Sequence, residues 1–73
     1  IPAECDLCGK EFANSPSSDG GIVFVDGKTK DGPWANMCLS CFQDNGISLG
    51  IGRGQVYELQ RSGKDKGRWL KIA

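Results

Sequence analysis

Four cysteines carry the strongest chemical signal in the sequence. They form two Cys-x-x-Cys pairs on either side of a long intervening segment, and they are Cys5, Cys8, Cys38 and Cys41. Two thiolates on one tight turn can bind a single ion, and the long segment lets the chain return with two more. Structural zinc sites take this four-coordinate form, closed entirely by protein. The spacing therefore predicts one structural zinc ion held by these four cysteines.

Other uses of the same cysteines fit the sequence less well. Disulfides within each pair would close very small loops and would leave the middle of the chain without a cross-link. A rubredoxin-type iron site normally has glycine after both pairs, whereas here Gly9 follows the first pair and Phe42 follows the second. A thioredoxin-like redox site needs a larger domain than 73 residues provide. Disulfides, iron and redox chemistry remain the alternatives to zinc.

Length and composition indicate a single domain that needs a cross-link. Only 38% of the 73 residues are apolar, and 11 are glycine, so the hydrophobic core is small. A structural zinc site supplies on the order of 10–16 kcal/mol of apparent binding free energy. The net stability of a typical domain is only about 5–15 kcal/mol. We therefore expect one domain over residues 1–73 whose folding depends on the metal.

The segment between the two cysteine pairs predicts a β-hairpin. Residues 22–25 are β-branched or aromatic throughout and predict the first strand. Asp26 and Gly27 predict a turn after it, and residues 34–37 predict a short strand that returns to the second pair. The polar residues 14–21 before this hairpin predict a loop.

Each cysteine pair also has its own local signal. Gly9 supplies the positive φ that a zinc knuckle needs after its second ligand, and Phe12 is expected to pack beside the metal. The second pair opens a predicted helix over residues 38–45, with Gly46 at its end. Cysteines three residues apart on a helix lie on one face, so both sulfurs of this pair can reach the same ion.

The order of knuckle, hairpin and ligand-bearing helix resembles a treble-clef zinc finger over residues 3–47. That resemblance implies a scaffold that serves protein binding, nucleic-acid binding and, in larger proteins, catalysis. Residues 32–38, Cys41-Phe42 and residues 50–57 also look like segments of small uncharacterised zinc-binding proteins of bacteria and phages, which implies no activity. A zinc ribbon, with the second pair on another knuckle, is the alternative fold.

The C-terminal part predicts a glycine-rich loop followed by a second β-hairpin. Glycines at positions 50, 52 and 54 lack the residues that complete a phosphate-binding loop, so they predict tight turns. Residues 55–60 and 68–72 alternate well enough to form two strands. We therefore predict a small α+β, zinc-stabilised domain with a zinc module at 3–47 and the loop plus C-terminal hairpin at 48–73.

The net charge of zero hides an asymmetry between the two parts of the chain. Residues 1–50 hold three basic and seven acidic side chains, whereas residues 51–73 hold six basic and two acidic, which gives −4 and +4. The basic part predicts either a solvated hairpin or a surface for an anionic partner. The candidate contacts on that surface are Arg53, Lys64, Lys66, Arg68, Lys71 and, as a stacking platform, Trp69 or Tyr57. A sequence pI of about 6.3 argues against a dedicated duplex-DNA binder.

These features favour recognition over catalysis. The chain has no histidine, and four cysteine ligands would leave the zinc no open position for water. We therefore expect a cytoplasmic, non-catalytic zinc module with no membrane contact and no evident small-molecule substrate. A protein is the expected partner, bound through an apolar patch around Ile47, Leu49 and Ile51. Nucleic-acid binding by the C-terminal hairpin is the alternative.

Overall fold

A four-stranded antiparallel sheet forms the framework of the computed structural model, which describes residues 3–14, 16 and 20–73. A short 3₁₀ helix at Phe12–Asn14 precedes the sheet, and α1 at Leu39–Asn45 lies between the second and third strands in the sequence. The strands lie in the order β2-β1-β3-β4. Their bounds are Val23–Lys28 for β1, Trp34–Met37 for β2, Gly54–Leu59 for β3 and Trp69–Lys71 for β4.

The predicted first hairpin is present, but its turn lies later than the sequence indicated. Strand β1 continues through Asp26 and Gly27, which pair with Asn36 and Ala35 of β2. The prediction of a turn at Asp26 and Gly27 was therefore wrong. Gly27 is suited to its place in the strand for another reason, because a Cβ there would lie 3.1 Å from the carbonyl oxygen of Arg53. The glycine permits β3 to approach β1 closely.

The second hairpin joins the same sheet and does not form a separate layer. Strands β3 and β4 pair as predicted, with Leu59 opposite Trp69. The sequence did not indicate that β3 also pairs with β1 over five residue pairs, among them Val25 opposite Val56. This pairing makes β1 a central strand, which accounts for the burial of four of its six residues, Val23, Phe24, Val25 and Gly27. The C-terminal part is thereby fixed to β1, which also pairs with β2, the strand that leads to Cys38.

An aromatic cluster fills the core between the sheet and the N-terminal segment. The rings of Phe12 and Phe24 stack with centroids 5.0 Å apart, and Phe24 stacks on its register partner Tyr57 at 5.2 Å. Trp69 meets Phe24 edge to face at 4.9 Å. Offset or edge-to-face aromatic pairs add about 0.5–1.5 kcal/mol each beyond the area they bury. Phe12 has no exposed surface and packs in one cluster with Cys5 and Cys38, as expected for a residue that shields a metal.

Helix α1 begins at the second cysteine pair, as the sequence predicted. Cys38 is its N-cap residue, and Gly46 is its C-cap, where the Gly46 N–H donates to the carbonyl of Phe42. Half of the predicted loop at 14–21, namely Ser15 and residues 17–19, lies outside the described residues. Within the described part of the chain, no helix has the length and apolar character required to cross a membrane.

Replacement of Phe12 tests the aromatic core. Phe12→Ala removes a fully buried ring, and we expect it to lower the free energy of unfolding of the metal-loaded protein by about 3–5 kcal/mol. Urea denaturation followed by circular dichroism measures this loss. Ile51→Ala is the control, because the Ile51 side chain is 98% exposed and should change stability by no more than about 0.5 kcal/mol. Equal stabilities for both variants would contradict the described core.

Candidate metal centre

Two structural elements bring the four cysteines together. Cys5 and Cys8 flank a tight turn that is closed by a hydrogen bond from the Gly9 N–H to the carbonyl of Cys5. Gly9 has a φ of 77°, the left-handed conformation that the sequence predicted for it. Cys38 follows β2 directly, and Cys41 lies in the first turn of α1. The centre thus joins the N-terminal knuckle to the junction between the sheet and the helix.

The sulfur positions match a single tetrahedral ion. All four Sγ atoms lie within 4.8 Å of one another, and the Sγ atoms of Cys8 and Cys38 are 3.9 Å apart. A tetrahedron with metal–sulfur bonds of about 2.3 Å has edges of about 3.8 Å. A disulfide would need about 2.05 Å, and all four thiols are free. The four cysteines are therefore positioned to hold one metal ion, and their spacing is compatible with zinc.

Backbone N–H groups assist one of the thiolates. The Leu7 N–H donates to Cys5 Sγ at 3.4 Å. Burial opposes ionisation of Cys5, but the backbone N–H groups of Cys38, Cys8 and Leu7 outweigh it and lower the pKa of this thiol to about 7. Cys5 is thus more readily ionised near neutral pH than an ordinary cysteine, and the thiolate is the form that binds a metal.

The other half of the centre resists ionisation. Burial raises the pKa of the Cys38 thiol and, together with the neighbouring sulfurs, also raises the pKa of Cys41. Clustered thiolates in a poorly hydrated site repel one another unless a cation lies among them. Metal binding drives such thiols to release their protons. The electrostatics of the cluster therefore suit a divalent ion.

Burial differs from one ligand candidate to the next. Cys5 and Cys38 are buried, Cys41 is half-buried and Cys8 is exposed. A cleft of about 620 Å³ opens beside Cys8 and Cys41 and is also lined by Lys10. Lys10 places a positive charge near a centre that would carry −2 with four thiolates and a divalent ion. Four protein sulfurs complete a tetrahedral shell, so this cleft borders the ion's ligands and not an open coordination position.

The basic residues predicted to bind an anionic partner are spread over two loops and one strand. Arg53 lies in the loop before β3, where its carbonyl accepts a hydrogen bond from the Lys28 N–H. Lys64, Lys66 and Arg68 lie exposed between β3 and β4, and Lys71 is exposed on β4. Arg68 pairs with Asp65 at 3.3 Å, with most of its side chain in solvent.

Trp69 does not join these residues at the surface. Its ring is half-buried in the aromatic cluster, edge-on to Phe12 and Phe24. A stacking platform for nucleic-acid bases needs an accessible ring face. The position of Trp69 therefore favours a role in the core over a role as a stacking platform.

A second set of residues was not recognised as a site from the sequence. Leu7 and Trp34, far apart in the chain, both line a hollow between the knuckle and β2. Asp6 joins the two elements, because its N–H donates to the carbonyl of Asn36 and its Oδ2 accepts from the Asn36 N–H at 2.8 Å. Only the long-range fold brings these residues together, so local sequence patterns carry no signal for the hollow.

No protein-family model, curated protein or solved structure matches the chain. The resemblance to zinc fingers accordingly depends on the four-cysteine cluster itself, which is consistent with a zinc-finger-like site.

Replacement of Cys38 tests the metal centre. Cys38→Ser should lower metal affinity by at least about 100-fold, since loss of even an outer-shell partner costs about 10–100-fold. Cobalt(II) is a suitable probe because it occupies the same kinds of sites and its thiolate complexes absorb visible light. The unaltered chain should saturate at one cobalt ion. Ser40→Ala, which lies within the same pair and is exposed, should behave like the unaltered chain. Equal cobalt binding by Cys38→Ser would exclude the four-sulfur site.

Proposed function

We propose that the chain is a non-catalytic recognition module that binds one structural zinc ion and uses the resulting scaffold to bind a protein. The four-cysteine cluster supports the metal part of this proposal. Zinc is preferred to iron because Phe42 follows the second pair in the helix, where a rubredoxin-type site would have glycine. The closed sulfur shell and the lack of histidine support a structural and not a catalytic ion.

A treble-clef arrangement is the preferred form of the zinc module. The first pair lies on a knuckle with Gly9 at positive φ, and a β-hairpin follows. The second pair lies at the start of α1, with Cys38 as N-cap and Cys41 in the first turn. A zinc ribbon would place this pair on a second knuckle. The helical position of Cys41 is the feature that favours the treble clef.

The observation that favours a protein partner is the exposure of Ile51 on an ordered loop. Ile51 is 98% exposed, and Ile47 and Leu49 are also exposed. Hydrogen bonds between Gly50 and Gly54 close this loop, and the positive φ angles of Gly50 and Gly52 shape its turn. Such a side chain contributes almost nothing to the core. Neighbouring exposed apolar residues are typical of protein-binding surfaces.

Nucleic-acid binding by the C-terminal hairpin is the second candidate. Lys64, Lys66 and Arg68 are exposed in one turn and could contact phosphates. Trp69 and Tyr57 are both half-buried and packed on Phe24, which reduces the ring surface available for the base stacking that single-stranded nucleic acid favours. The exposed isoleucine therefore supports a protein partner more strongly than the lysines support nucleic acid.

Replacement of Ile51 tests the proposed protein surface. Burial of an isoleucine side chain contributes about 1.5–3 kcal/mol, so Ile51→Asp should weaken partner binding by about tenfold or more. Immobilised zinc-loaded chain, incubated with nuclease-treated lysate and analysed by quantitative mass spectrometry, measures the retained proteins. Ile72→Asp, at another exposed isoleucine, should retain the same partner.

The same experiment separates the two candidate functions. If nuclease removes all binding, or if the double variant Lys64→Glu/Lys66→Glu abolishes it while Ile51→Asp does not, the protein-binding proposal is wrong. Binding to nucleic acid would then also fall steeply with salt.

A further inference from the structure

A hollow between the zinc knuckle and β2 has the features of a peptide-binding groove. It has a volume of about 290 Å³, and its walls include Leu7 from the knuckle and Trp34 from the first position of β2. Leu7 is 46% exposed and Trp34 is 48% exposed. Exposed tryptophan is enriched at binding interfaces because it offers a large apolar area at a low cost in conformational entropy. The hollow thus presents two large apolar side chains to solvent.

At the first position of β2, beside the hollow, the backbone N–H and carbonyl of Trp34 have no hydrogen-bond partner among the described residues. Strand β2 is an edge of the sheet. The N–H and carbonyl of Asn36 both bond to Asp6, so they point away from β1. Residues two apart in a strand direct these groups to the same side, so the N–H and carbonyl of Trp34 also point outward. Asp6 covers the edge at Asn36 but leaves it open at Trp34.

The pairing of β1 supports the same assignment. Lys28 is the register partner of Trp34, and its N–H donates to the carbonyl of Arg53 on the β3 side. Lys28 and Trp34 are therefore a non-hydrogen-bonded pair of the antiparallel ladder. An exposed strand edge with free N–H and carbonyl groups is a template for a further strand.

The charge of the hollow indicates which peptides it favours. Asp6 and Asp31 are both exposed and line it, and none of the described residues that line it carries a positive charge. Leu7 lies between the ligand candidates Cys5 and Cys8, so the centre, at −2 with a divalent ion, is close by. Lys28, the register partner of Trp34, and Lys30 do not line the hollow. The carboxylates of Asp6 and Asp31, which do line it, favour lysine or arginine over a nucleic-acid phosphate.

We propose that this hollow binds an extended segment of a partner protein, which adds a short strand to β2 at Trp34. The segment places an apolar side chain between Leu7 and Trp34 and a lysine or arginine near Asp6 and Asp31. The proposal rests on the proposed function in one respect, because the bound zinc fixes the knuckle that carries Leu7. To the proposed function, this proposal adds the class of ligand, a basic and apolar peptide segment, and the mode of recognition, addition of a strand to β2.

Short synthetic peptides test the proposal even while the natural partner is unidentified. The probe is a hexapeptide of alternating lysine and valine, titrated into ¹⁵N-labelled zinc-loaded chain. Backbone amide shifts should concentrate at Leu7, Trp34 and Ala35. A matched peptide with glutamate in place of lysine should bind at least about tenfold more weakly, because both charged walls of the hollow would repel it. Equal binding of the two peptides, or shifts confined to the C-terminal hairpin, would overturn the proposal.

Backbone methylation tests strand addition separately from side-chain contacts. A strand directs alternate N–H groups to its two sides. One peptide carries N-methyl groups at its odd positions and another carries them at its even positions. One of them should bind like the unmodified peptide, and the other should lose binding. Equal affinities for both would exclude pairing with β2.

Protein variants then assign the walls of the hollow. Trp34→Ala and Leu7→Ser should each weaken binding of the lysine–valine peptide at least about fivefold. Ile72→Ala is the control, because Ile72 is an exposed isoleucine that does not line the hollow, and it should leave the affinity unchanged. Asp31→Asn should weaken binding about threefold and reduce its dependence on salt. Unchanged affinity in Trp34→Ala, with metal content and amide dispersion intact, would reject the hollow as the binding site.

The outcomes distinguish this inference from the proposed function. A chain that holds one zinc ion and loses its partner on Ile51→Asp, yet binds no peptide, would retain the proposed function and reject the hollow. Shifts at Leu7 and Trp34 that depend on protein concentration without peptide would instead identify a second copy of the chain as the occupant, and would overturn the proposal of a separate partner.

Discussion

The convergence of four cysteine sulfurs on one point is the constraint on which the fold depends. Thiols this close, with burial raising the pKa of Cys38 and Cys41, favour a cation that replaces their protons. The sulfurs come from a knuckle near the N-terminus and from the junction of β2 with α1, so one ion would close most of the N-terminal half into a loop. Such a cross-link would stabilise a chain with so many glycines, because closing the loop lowers the conformational entropy of the unfolded state.

The sheet extends this restraint to the C-terminal half. Strand β1 pairs with β2, which leads to Cys38, and with β3, which leads into the second hairpin. The stacked rings of Phe12, Phe24 and Tyr57 connect the knuckle side of the molecule with both hairpins. Phe12 and Phe24 also lie in one buried cluster with Cys5 and Cys38, so the aromatic core and the four-cysteine cluster adjoin each other. Ile51, Leu7 and Trp34 can be exposed because other residues hold the fold together.

Local features of the fold were predictable from the sequence because they depend on neighbouring residues. The tight turn at Cys5 and Cys8, the positive φ of Gly9 and the helix capped by Gly46 are of this kind. Asp26 and Gly27 led to a wrong prediction, since a sequence that usually makes a turn here lies in a central strand, where a Cβ at Gly27 would crowd the carbonyl oxygen of Arg53 at 3.1 Å. The pairing of β1 with β3 and the hollow at Leu7 and Trp34 arise from long-range contacts, which local patterns do not encode. The identity of the metal and of the partner remain predictions.

The most direct test of the central claim is the metal content and fold of the same reduced sample. Native mass spectrometry should show one zinc ion per chain, and the dispersed amide spectrum of that sample should collapse when a strong chelator removes the ion, then return when zinc is restored. A chain that carries no stoichiometric metal, and that keeps its dispersed spectrum in chelator and reductant, would contradict the account.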